Sequence, residues 1–378
     1  MERTKMPAIT YDHIYSFQNL YRAFLMARRG KRGNESVMKF EANLLEAIHL
    51  LSEMLQHKTY SLSDYFTFVI YEPKERIVMT NSFKDKVVQH SLCDNVLEPM
   101  LESTFIKSNS ASQKGKGTHY GLDLLTKDMR SFYFRRKAIA TEHCQGAGLP
   151  YSTYSGADFA DGWVLKCDVT KFFYKIPHEK LKQDMRKHIQ DPDILWLVDL
   201  IIDSTDNVGI PIGNQTSQWF AVLYLSDLDH FIKEKLHIEH YGRYMDDFYL
   251  IHDNKHYLKY CLLQIEAFTA EKGLTLNNKT NIFPLKNGID FLGFHSYLTD
   301  SGKVIRKVRQ KSKTNRKRVL KKLRQKLDFG EITLEEVEHS YGSWRTHALH
   351  GNSYHLVQDM DKYFKELFKE SEKKWRKH

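Results

Sequence analysis

The stretch of sequence that decides the fold is Tyr241-Gly-Arg-Tyr-Met-Asp-Asp-Phe-Tyr-Leu-Ile-His252, in which two adjacent carboxylates lie between strand-like runs. Neighbouring side chains in a straight strand point to opposite faces, whereas a tight turn can bring them to the same side. We therefore predict a hairpin with Asp246 and Asp247 at its turn, where they could hold a hard divalent cation. A lone Asp-Asp pair is more often a solvated turn, so the metal-site interpretation depends on which other residues lie beside it.

A third carboxylate ends a short apolar strand, Trp163-Val-Leu-Lys-Cys-Asp168. If this strand lies beside the hairpin, Asp168 joins Asp246 and Asp247 in one acidic cluster. Three carboxylates without cations repel one another and resist full ionisation, and two divalent ions remove that difficulty. Such a cluster is suited to the attack of a primer 3′-hydroxyl on the α-phosphate of a nucleotide.

The composition is that of a basic, globular chain. Its 378 residues carry a formal net charge of +10 with a pI near 9.1, and 41% are hydrophobic and 13% aromatic. This balance suits a partner made of phosphates and stackable bases, although a membrane surface would attract it too. We expect no secretory signal and no membrane span, and therefore a cytoplasmic protein. Cysteines without metal-ligand or disulfide spacing fit a reducing compartment; they are Cys93, Cys144, Cys167 and Cys261.

Two strand-like runs, 66–71 and 76–80, flank the turn signal Glu72-Pro-Lys-Glu75. In this predicted hairpin, Lys74 and Arg76 could place two cations on a triphosphate, Lys as a point charge and Arg as a planar fork. Exposed hairpin charges with no ligand are an equally good interpretation of this segment alone.

The C-terminal arm is one-sidedly basic. Between Lys303 and Lys326 there are 13 Lys or Arg residues and no acid, with apolar residues at helical spacing. A template–primer backbone is the favoured ligand, and a membrane-surface helix is the alternative. The residues expected at the nucleic-acid backbone are Lys303, Arg306, Lys307, Arg309, Lys313, Arg316 and Lys317. The residues expected in the core of the following helices are Trp344, Leu349, Tyr354 and Leu356.

Taken together, Asp168 with Phe172-Phe173 and then Tyr244-Met-Asp-Asp247 resemble the palm of a reverse transcriptase. The resemblance extends over roughly residues 70 to 345. It implies a right-hand polymerase of the α+β class that makes DNA on an RNA template from dNTPs and a DNA or RNA primer. It also implies two Mg²⁺ ions, with Mn²⁺ as a substitute, held by the three carboxylates and the backbone of Val169.

Other motifs extend this resemblance. Gly273-Leu-Thr-Leu-Asn-Asn-Lys-Thr280 is similar to the motif whose lysine, here Lys279, protonates the leaving pyrophosphate. Lys279 could equally be an exposed lysine after a turn, but its position in the motif favours the first interpretation. Ile289-Asp-Phe-Leu-Gly-Phe294 resembles the primer grip, with Leu292 and Gly293 at its centre. Phe173 stands where an aromatic ring blocks the sugar 2′-hydroxyl, although it could also be ordinary core.

The expected domains follow the same resemblance. They are an N-terminal helical lead-in (1–60), fingers (61–150), a palm of antiparallel sheet and helices (151–300, with a fingers portion near 180–215) and a basic helical thumb (301–378). We expect no residues for a ribonuclease H, endonuclease or integrase domain.

The subfamily depends on Gly209-Ile-Pro-Ile-Gly-Asn-Gln-Thr-Ser-Gln218, where most reverse transcriptases have Gln-Gly at Ile212-Gly213 and Ser-Pro at Ser217-Gln218. This form resembles the reverse transcriptases of diversity-generating retroelements, in bacteria or phages. It implies errors at template adenines, a small accessory protein and a structured non-coding RNA. Replacing glutamine with Ile212 removes a polar contact beside the nucleotide, worth about 1 kcal/mol. Alternatives are ordinary fidelity, a phage-defence or retron-like setting, and a non-catalytic RNA-binding scaffold.

Overall fold

The computed structural model describes residues 9–71 and 75–375 of the chain. Helices and antiparallel strands are mixed in it, which confirms the predicted α+β class. The strands are β1 (Phe66–Ile70), β2 (Arg76–Thr80), β3 (Trp163–Asp168), β4 (His240–Tyr244), β5 (Asp247–His252), β6 (Asn281–Pro284), β7 (Ile289–Phe291), β8 (Phe294–Leu298) and β9 (Val304–Val308). The helices are α1 (Asp12–Tyr15), α2 (Phe17–Ala27), α3 (Glu35–Ala42), α4 (Leu44–Gln56), α5 (Phe83–Leu92), α6 (Glu98–Leu101), α7 (Thr118–Ala147), α8 (Gly156–Phe159), α9 (Phe172–Lys175), α10 (His178–His188), α11 (Pro192–Ile202), α12 (Gln215–Tyr224), α13 (Ser226–His230), α14 (Lys255–Glu271), α15 (Gln310–Asp328), α16 (Leu334–Leu349) and α17 (Tyr354–Trp375).

The central sheet has the strand order β4-β5-β3-β6. Strand β3 pairs with β5 along its whole length, from Trp163 opposite His252 to Asp168 opposite Asp247. On its other side, β6 pairs with β3 only as far as Lys166. The carboxyl end of β3 therefore extends past β6 and lies beside the start of β5.

Both faces of this sheet are covered by helices. Leu165 packs into the large core to which α12 and α14 also contribute. On the other face, Val164 packs with Leu125 and Met129 of α7. A strand covered on both sides must be apolar on both sides, which explains the near-continuous hydrophobic run that precedes Asp168.

The N-terminal segment is helical and contains α1 to α4. The ring of Phe24 in α2 lies 5.7 Å from that of Phe40 in α3 and 6.1 Å from that of Phe83 in α5. These helices share the large core with β3. By contrast, β1 and β2 form a separate hairpin, and every residue of β1 is exposed.

The C-terminal helices form a core of their own. Leu320 of α15, Val337 of α16 and Met360 of α17 are buried against one another. Of the residues expected in this core, Trp344 and Leu356 pack against it, but Leu349 is 45% exposed and Tyr354 is 64% exposed. That part of the prediction was wrong, because both residues lie at the ends of their helices, where the apolar face no longer meets a partner.

Helix α7 is 30 residues long, and the sequence pattern did not reveal it. Beyond Tyr133, Cys144 is the only residue that α7 buries, so the second half of the helix has no apolar stripe to detect. Within the described ranges, no helix combines the length and the hydropathy that a membrane crossing requires.

Candidate active site

The structure brings together the two acidic segments that the sequence singled out. Asp168, the last residue of β3, lies directly opposite Asp247, the first residue of β5, in an antiparallel register. The backbone N–H of Val169 donates to the carbonyl oxygen of Asp246 at 3.2 Å. Residues directly opposite each other in such a ladder project to the same face of the sheet. The side chains of Asp168 and Asp247 therefore share one face at the end of the strands.

The turn of the hairpin differs in detail from the prediction. Tyr244 pairs with Asp247, so the turn consists of Met245 and Asp246, and Asp247 already belongs to the strand. Met245 has φ +55°, a conformation that a residue with a side chain rarely adopts. Asp246 therefore lies in the turn and Asp247 in the strand, so their side chains need not point to opposite faces of the sheet.

A buried ion pair supports this turn. The Nη1 of Arg243 donates to the carbonyl oxygen of Met245 at 3.0 Å, and its Nε donates to Oδ1 of Asp229 at 2.6 Å. Burial opposes the charged form of Arg243, but the Asp229 carboxylate outweighs it and raises the pKa of the guanidinium. Sequence reasoning missed this pair. The available signal was an arginine between strand aromatics, Tyr241 and Tyr244.

A lysine also lies among the carboxylates. Lys166 is two residues before Asp168 in β3, and its ammonium forms an ion pair with Oδ1 of Asp247. The side chain is 17% exposed, and its Nζ lies 5.1 Å from the centroid of the Phe291 ring. Burial lowers the pKa of Lys166 from 10.5 to about 8, while acidic neighbours that include Asp168 and Asp246 oppose the shift.

The Gly273–Thr280 segment is held against the same strand end. The N–H of Thr170 donates to the carbonyl of Thr275 at 2.9 Å, and the N–H of Asn277 donates to the carbonyl of Asp168 at 2.7 Å. Lys279 follows Asn277 closely and donates its backbone N–H to the Asn277 side chain. The side chain of Lys279 is exposed, so it is available to a ligand at this end of the sheet.

The β1–β2 hairpin approaches the site through β2. The N–H of Met79 donates to the carbonyl of Ile212 at 3.0 Å. Gly213 has φ +134°, and a Cβ there would lie 2.7 Å from the carbonyl oxygen of Met79, so this contact requires a glycine. Arg76, at the start of β2, is exposed, whereas Lys74 lies outside the described residues.

Side-chain hydrogen bonds also connect the residues that flank the β1–β2 hairpin to the segment just before α12. Asn214, beside Ile212 and Gly213, donates to the hydroxyl of Tyr65 at 3.0 Å and to Oδ1 of Asn81 at 2.9 Å. Gln218, on α12, accepts a hydrogen bond from Ser112 at 3.1 Å. Asn214 is buried and was not among the predicted site residues.

The two phenylalanines after Asp168 have different environments. Phe172 is 2% exposed and belongs to the core, whereas Phe173 is half-buried. Their rings meet at 70° with centroids 5.6 Å apart. Phe172 therefore fills the inward-facing position, and the partly open ring of Phe173 is the one that a substrate could contact.

The predicted primer-grip residues form the two-residue turn between β7 and β8. Leu292 has φ +47° and Gly293 has φ +90°. A Cβ at Gly293 would lie 3.1 Å from Nε2 of His347 in α16, and one at Gly121 in α7 would lie 2.8 Å from Cδ1 of Leu292. The turn is thus wedged between two helices.

The predicted backbone-contacting cations fall into two groups. The guanidinium of Arg306 is 13% exposed and donates to Asp123, to Thr126 and to the carbonyl oxygen of Leu122, so it joins β9 to α7. Arg316 is likewise engaged, donating to Ser340 at 3.2 Å. Lys303, Lys307 and Arg309 are exposed on or beside β9. Lys313 and Lys317 line a groove between α15 and α17 that also contains Lys321 and Tyr363.

The donor set fits a hard divalent cation. Asp168 and Asp247 present carboxylate oxygens on one face, the ligand class that Mg²⁺ prefers. The ammonium of Lys166 contacts Asp247, so this carboxylate already accepts a cation. Across residues 9–71 and 75–375, the conformation does not group three or more His, Cys, Asp or Glu side chains closely enough to hold a metal ion.

Solved structures similar to this chain include fungal telomerases. Apo telomerase from Candida tropicalis, truncated from its C-terminal domain, is 13% identical with a TM-score of 0.43, over 67% of this chain and 58% of that chain. Telomerase from Candida albicans in complex with a TWJ fragment of telomeric RNA is 15% identical with a TM-score of 0.45, over 83% of this chain and 56% of that chain. The chain therefore spans less than two thirds of the length of either protein.

Sequence comparison assigns the family. No curated protein matches the chain. The family profile described as reverse transcriptase (RNA-dependent DNA polymerase) matches residues 72–296, more than half of the chain, and this range contains every carboxylate of the site. The chain has the fold of a right-hand polymerase and belongs to the reverse transcriptase family of RNA-dependent DNA polymerases.

Proposed function

We propose that this chain copies an RNA template into complementary DNA by adding deoxynucleotides to the 3′ end of a DNA or RNA primer. The observation that carries the proposal is the register that sets Asp168 opposite Asp247. A polymerase needs acidic groups from two distant segments at the point where the growing strand ends. The alternative is a non-catalytic RNA-binding scaffold that keeps the palm, and the primer-extension experiment below separates the two.

The proposed metal site consists of Asp168, Asp246, Asp247 and the backbone carbonyl of Val169. These groups would hold two Mg²⁺ ions, with Mn²⁺ as a substitute. When bound, the ions supply positive charge at the reacting phosphate and at the primer 3′-hydroxyl. The protein contributes the fixed cross-strand position of the carboxylates, which orients the ligands before substrate arrives.

Other side chains would bind and orient the nucleotide. Arg76, together with Lys74, would hold the triphosphate through charge-assisted hydrogen bonds. Ile212 and Gln218 would line the position of the new base pair, and the half-buried ring of Phe173 would exclude a ribose 2′-hydroxyl. Each of these contacts selects a substrate feature rather than performing the chemistry.

The remaining groups would serve the leaving group and the primer. Lys279 is exposed beside the strand end and would donate a proton to pyrophosphate. Leu292 and Gly293 would position the primer terminus. The exposed cations Lys303, Lys307 and Arg309 would contact the template–primer backbone, together with the half-buried Lys313 and Lys317 of the groove. Such contacts give affinity without sequence choice.

We assign regions to this function as a lead-in (1–60), fingers (61–150), palm (151–300, with a fingers portion near 180–215) and thumb (301–378). The separate β1–β2 hairpin and the separate core of α15–α17 support the fingers and thumb assignments.

Primer extension on an RNA template with Mg²⁺ and dNTPs tests the activity. Asp168→Asn and Asp247→Asn should each lower the extension rate by about 10³-fold or more, because each removes charge at the site of phosphoryl transfer. The matched control is Asp253→Asn, since Asp253 lies just beyond the other end of β5 with a 55% exposed side chain. Equal inactivity of the wild type and both site variants would favour the scaffold.

We also propose that the enzyme belongs to a diversity-generating retroelement of a bacterium or phage. It would act in the cytoplasm with a small accessory protein and a structured non-coding RNA, and would misincorporate opposite template adenines. Support comes from Ile212, whose apolar side chain offers no hydrogen bond to the nucleotide. Sequencing of complementary DNA tests this, and Ile212→Gln should lower the adenine error rate several-fold. Errors spread evenly over the template bases at an ordinary rate would contradict it.

A further inference from the structure

Lys166 occupies an unusual position for a lysine. It lies inside β3, in a run that is otherwise apolar, and shares a face with Asp168 because side chains alternate along a strand. Its side chain is only 17% exposed, and its ammonium contacts Asp247. Placing a long cationic side chain there costs desolvation and rotamer entropy, which only a compensating charge offsets.

The end of the sheet beside Lys166 also carries three negatively charged side chains. The β3–β5 register and the hairpin turn place Asp168, Asp246 and Asp247 at the same end of the sheet, where their negative charges repel one another. A cation inside the cluster relieves that repulsion. Lys166 places an ammonium group there, and this group forms an ion pair with Asp247.

We propose that Lys166 is a positioning residue, an internal cation that holds and orients the carboxylate of Asp247 until a divalent ion takes its place. The inference rests on the two-metal site proposed above. A divalent ion on Asp247 repels the ammonium, so metal binding and the Lys166–Asp247 contact compete. The ammonium already lies 5.1 Å from the centroid of the Phe291 ring, a favourable contact that it could keep after leaving Asp247.

Mn²⁺ binding to the full chain without nucleic acid, followed by electron paramagnetic resonance, tests the competition. Lys166→Met should bind Mn²⁺ about fivefold or more tightly, because the competing cation is gone. Without metal the same variant should unfold at a lower temperature than the wild type, and it should gain more from saturating Mn²⁺. Lys166→Gln is the second variant, with the same expectations should the methionine not fold.

Lys255→Met is the matched control. Lys255 also lies over an aromatic ring, with Nζ 4.2 Å from the centroid of Trp163, but at the opposite end of β3. Trp163 is five residues from Asp168, which is about 17 Å along the strand. Lys255→Met therefore removes the same charge far from the carboxylates, and the Mn²⁺ affinity of this variant should stay near the wild-type value. Lys166→Arg keeps the positive charge and should show no gain in affinity.

Two outcomes overturn the inference while leaving the metal site intact. One is wild-type Mn²⁺ binding that Asp247→Asn abolishes but that Lys166→Met does not strengthen. The other is an equal gain in Lys166→Met and Lys255→Met, which would reflect net charge alone. If Asp247→Asn binds Mn²⁺ as well as the wild type does, the proposed metal site fails, and the inference fails with it.

Discussion

Arg243 and Asp229 form an ion pair in which neither side chain has any solvent exposure. The same guanidinium holds the carbonyl of Met245, and the Asp229 carboxylate also accepts a hydrogen bond from the hydroxyl of Tyr241 at 2.6 Å. Because Met245 starts the turn that carries Asp246, a charge pair inside the core supports the bend of the β4–β5 hairpin.

Arg243→Met should destabilise the protein by about 3–5 kcal/mol, because it leaves the carboxylate of Asp229 buried without its partner. Urea unfolding measures the change. The control is Arg135→Met, which removes an ion pair to Glu239 whose side chains are 63% and 53% exposed, and should cost less than about 1 kcal/mol. Equal costs for the two variants would show that the buried pair has no special role.

Replacing Lys313, Lys317 and Lys321 with glutamine should weaken binding to an RNA–DNA duplex and flatten its salt dependence. Each lost phosphate contact lowers the slope of log K against log salt by about 0.9. Fluorescence anisotropy over a salt series measures the slope. Glutamine at Lys39, Lys58 and Lys259, outside the C-terminal helices, removes the same charge and should change the slope much less. Equal changes would argue against the groove between α15 and α17 as the contact.

Phe173→Val should admit ribonucleotides. The half-buried ring of Phe173 would obstruct a ribose 2′-hydroxyl at the expected sugar position. Replacing the ring with the smaller valine should raise kcat/KM for a ribonucleotide, relative to the matching deoxynucleotide, by about tenfold or more. Single-nucleotide incorporation kinetics provide the ratio. Phe172→Val serves as the comparison, since Phe172 is core and its loss should lower stability without changing sugar choice. An unchanged ratio in Phe173→Val would remove the gate assignment.

His90 should make stability fall in mild acid. Burial, aided by the charge of Lys31, lowers the pKa of His90 from 6.5 to about 4. The unfolded chain therefore takes up the proton first. The stability contribution is complete above about pH 6.5 and is lost as the pH falls toward 4. The urea midpoint should drop between about pH 7 and about pH 5 in the wild type, and less in His90→Gln. An identical drop in both would show that His90 is not responsible.

The juxtaposition of Asp168 with the hairpin was predictable because Asp168 ends one strand of clear pattern and Asp247 begins another. The strands around Asp247 could be predicted to within a residue or two. The partners of the buried charges could not be predicted from the sequence. Arg243 and Lys166 are recognisable as odd residues in apolar strands, but Asp229 lies on another element, α13, and only the tertiary fold brings it to Arg243.

Helix-end packing and tight glycine contacts were equally inaccessible. Leu349 and Tyr354 have the residue types of a core, yet the turn between α16 and α17 leaves both exposed. Gly213 looks like one glycine among many, and its requirement appears only when β2 approaches through Met79. Both effects depend on distances between segments far apart in the chain.

The wedged turn at Leu292 and Gly293 lies between two parts of the proposed polymerase. Because α16 lies against Gly293 and α7 against Leu292, a swing of the proposed thumb would change the space available to the loop that would grip the primer. Thumb closure and placement of the strand's last nucleotide would then be mechanically one variable. Such a polymerase would register a loosened duplex at the reacting end before the next nucleotide is joined.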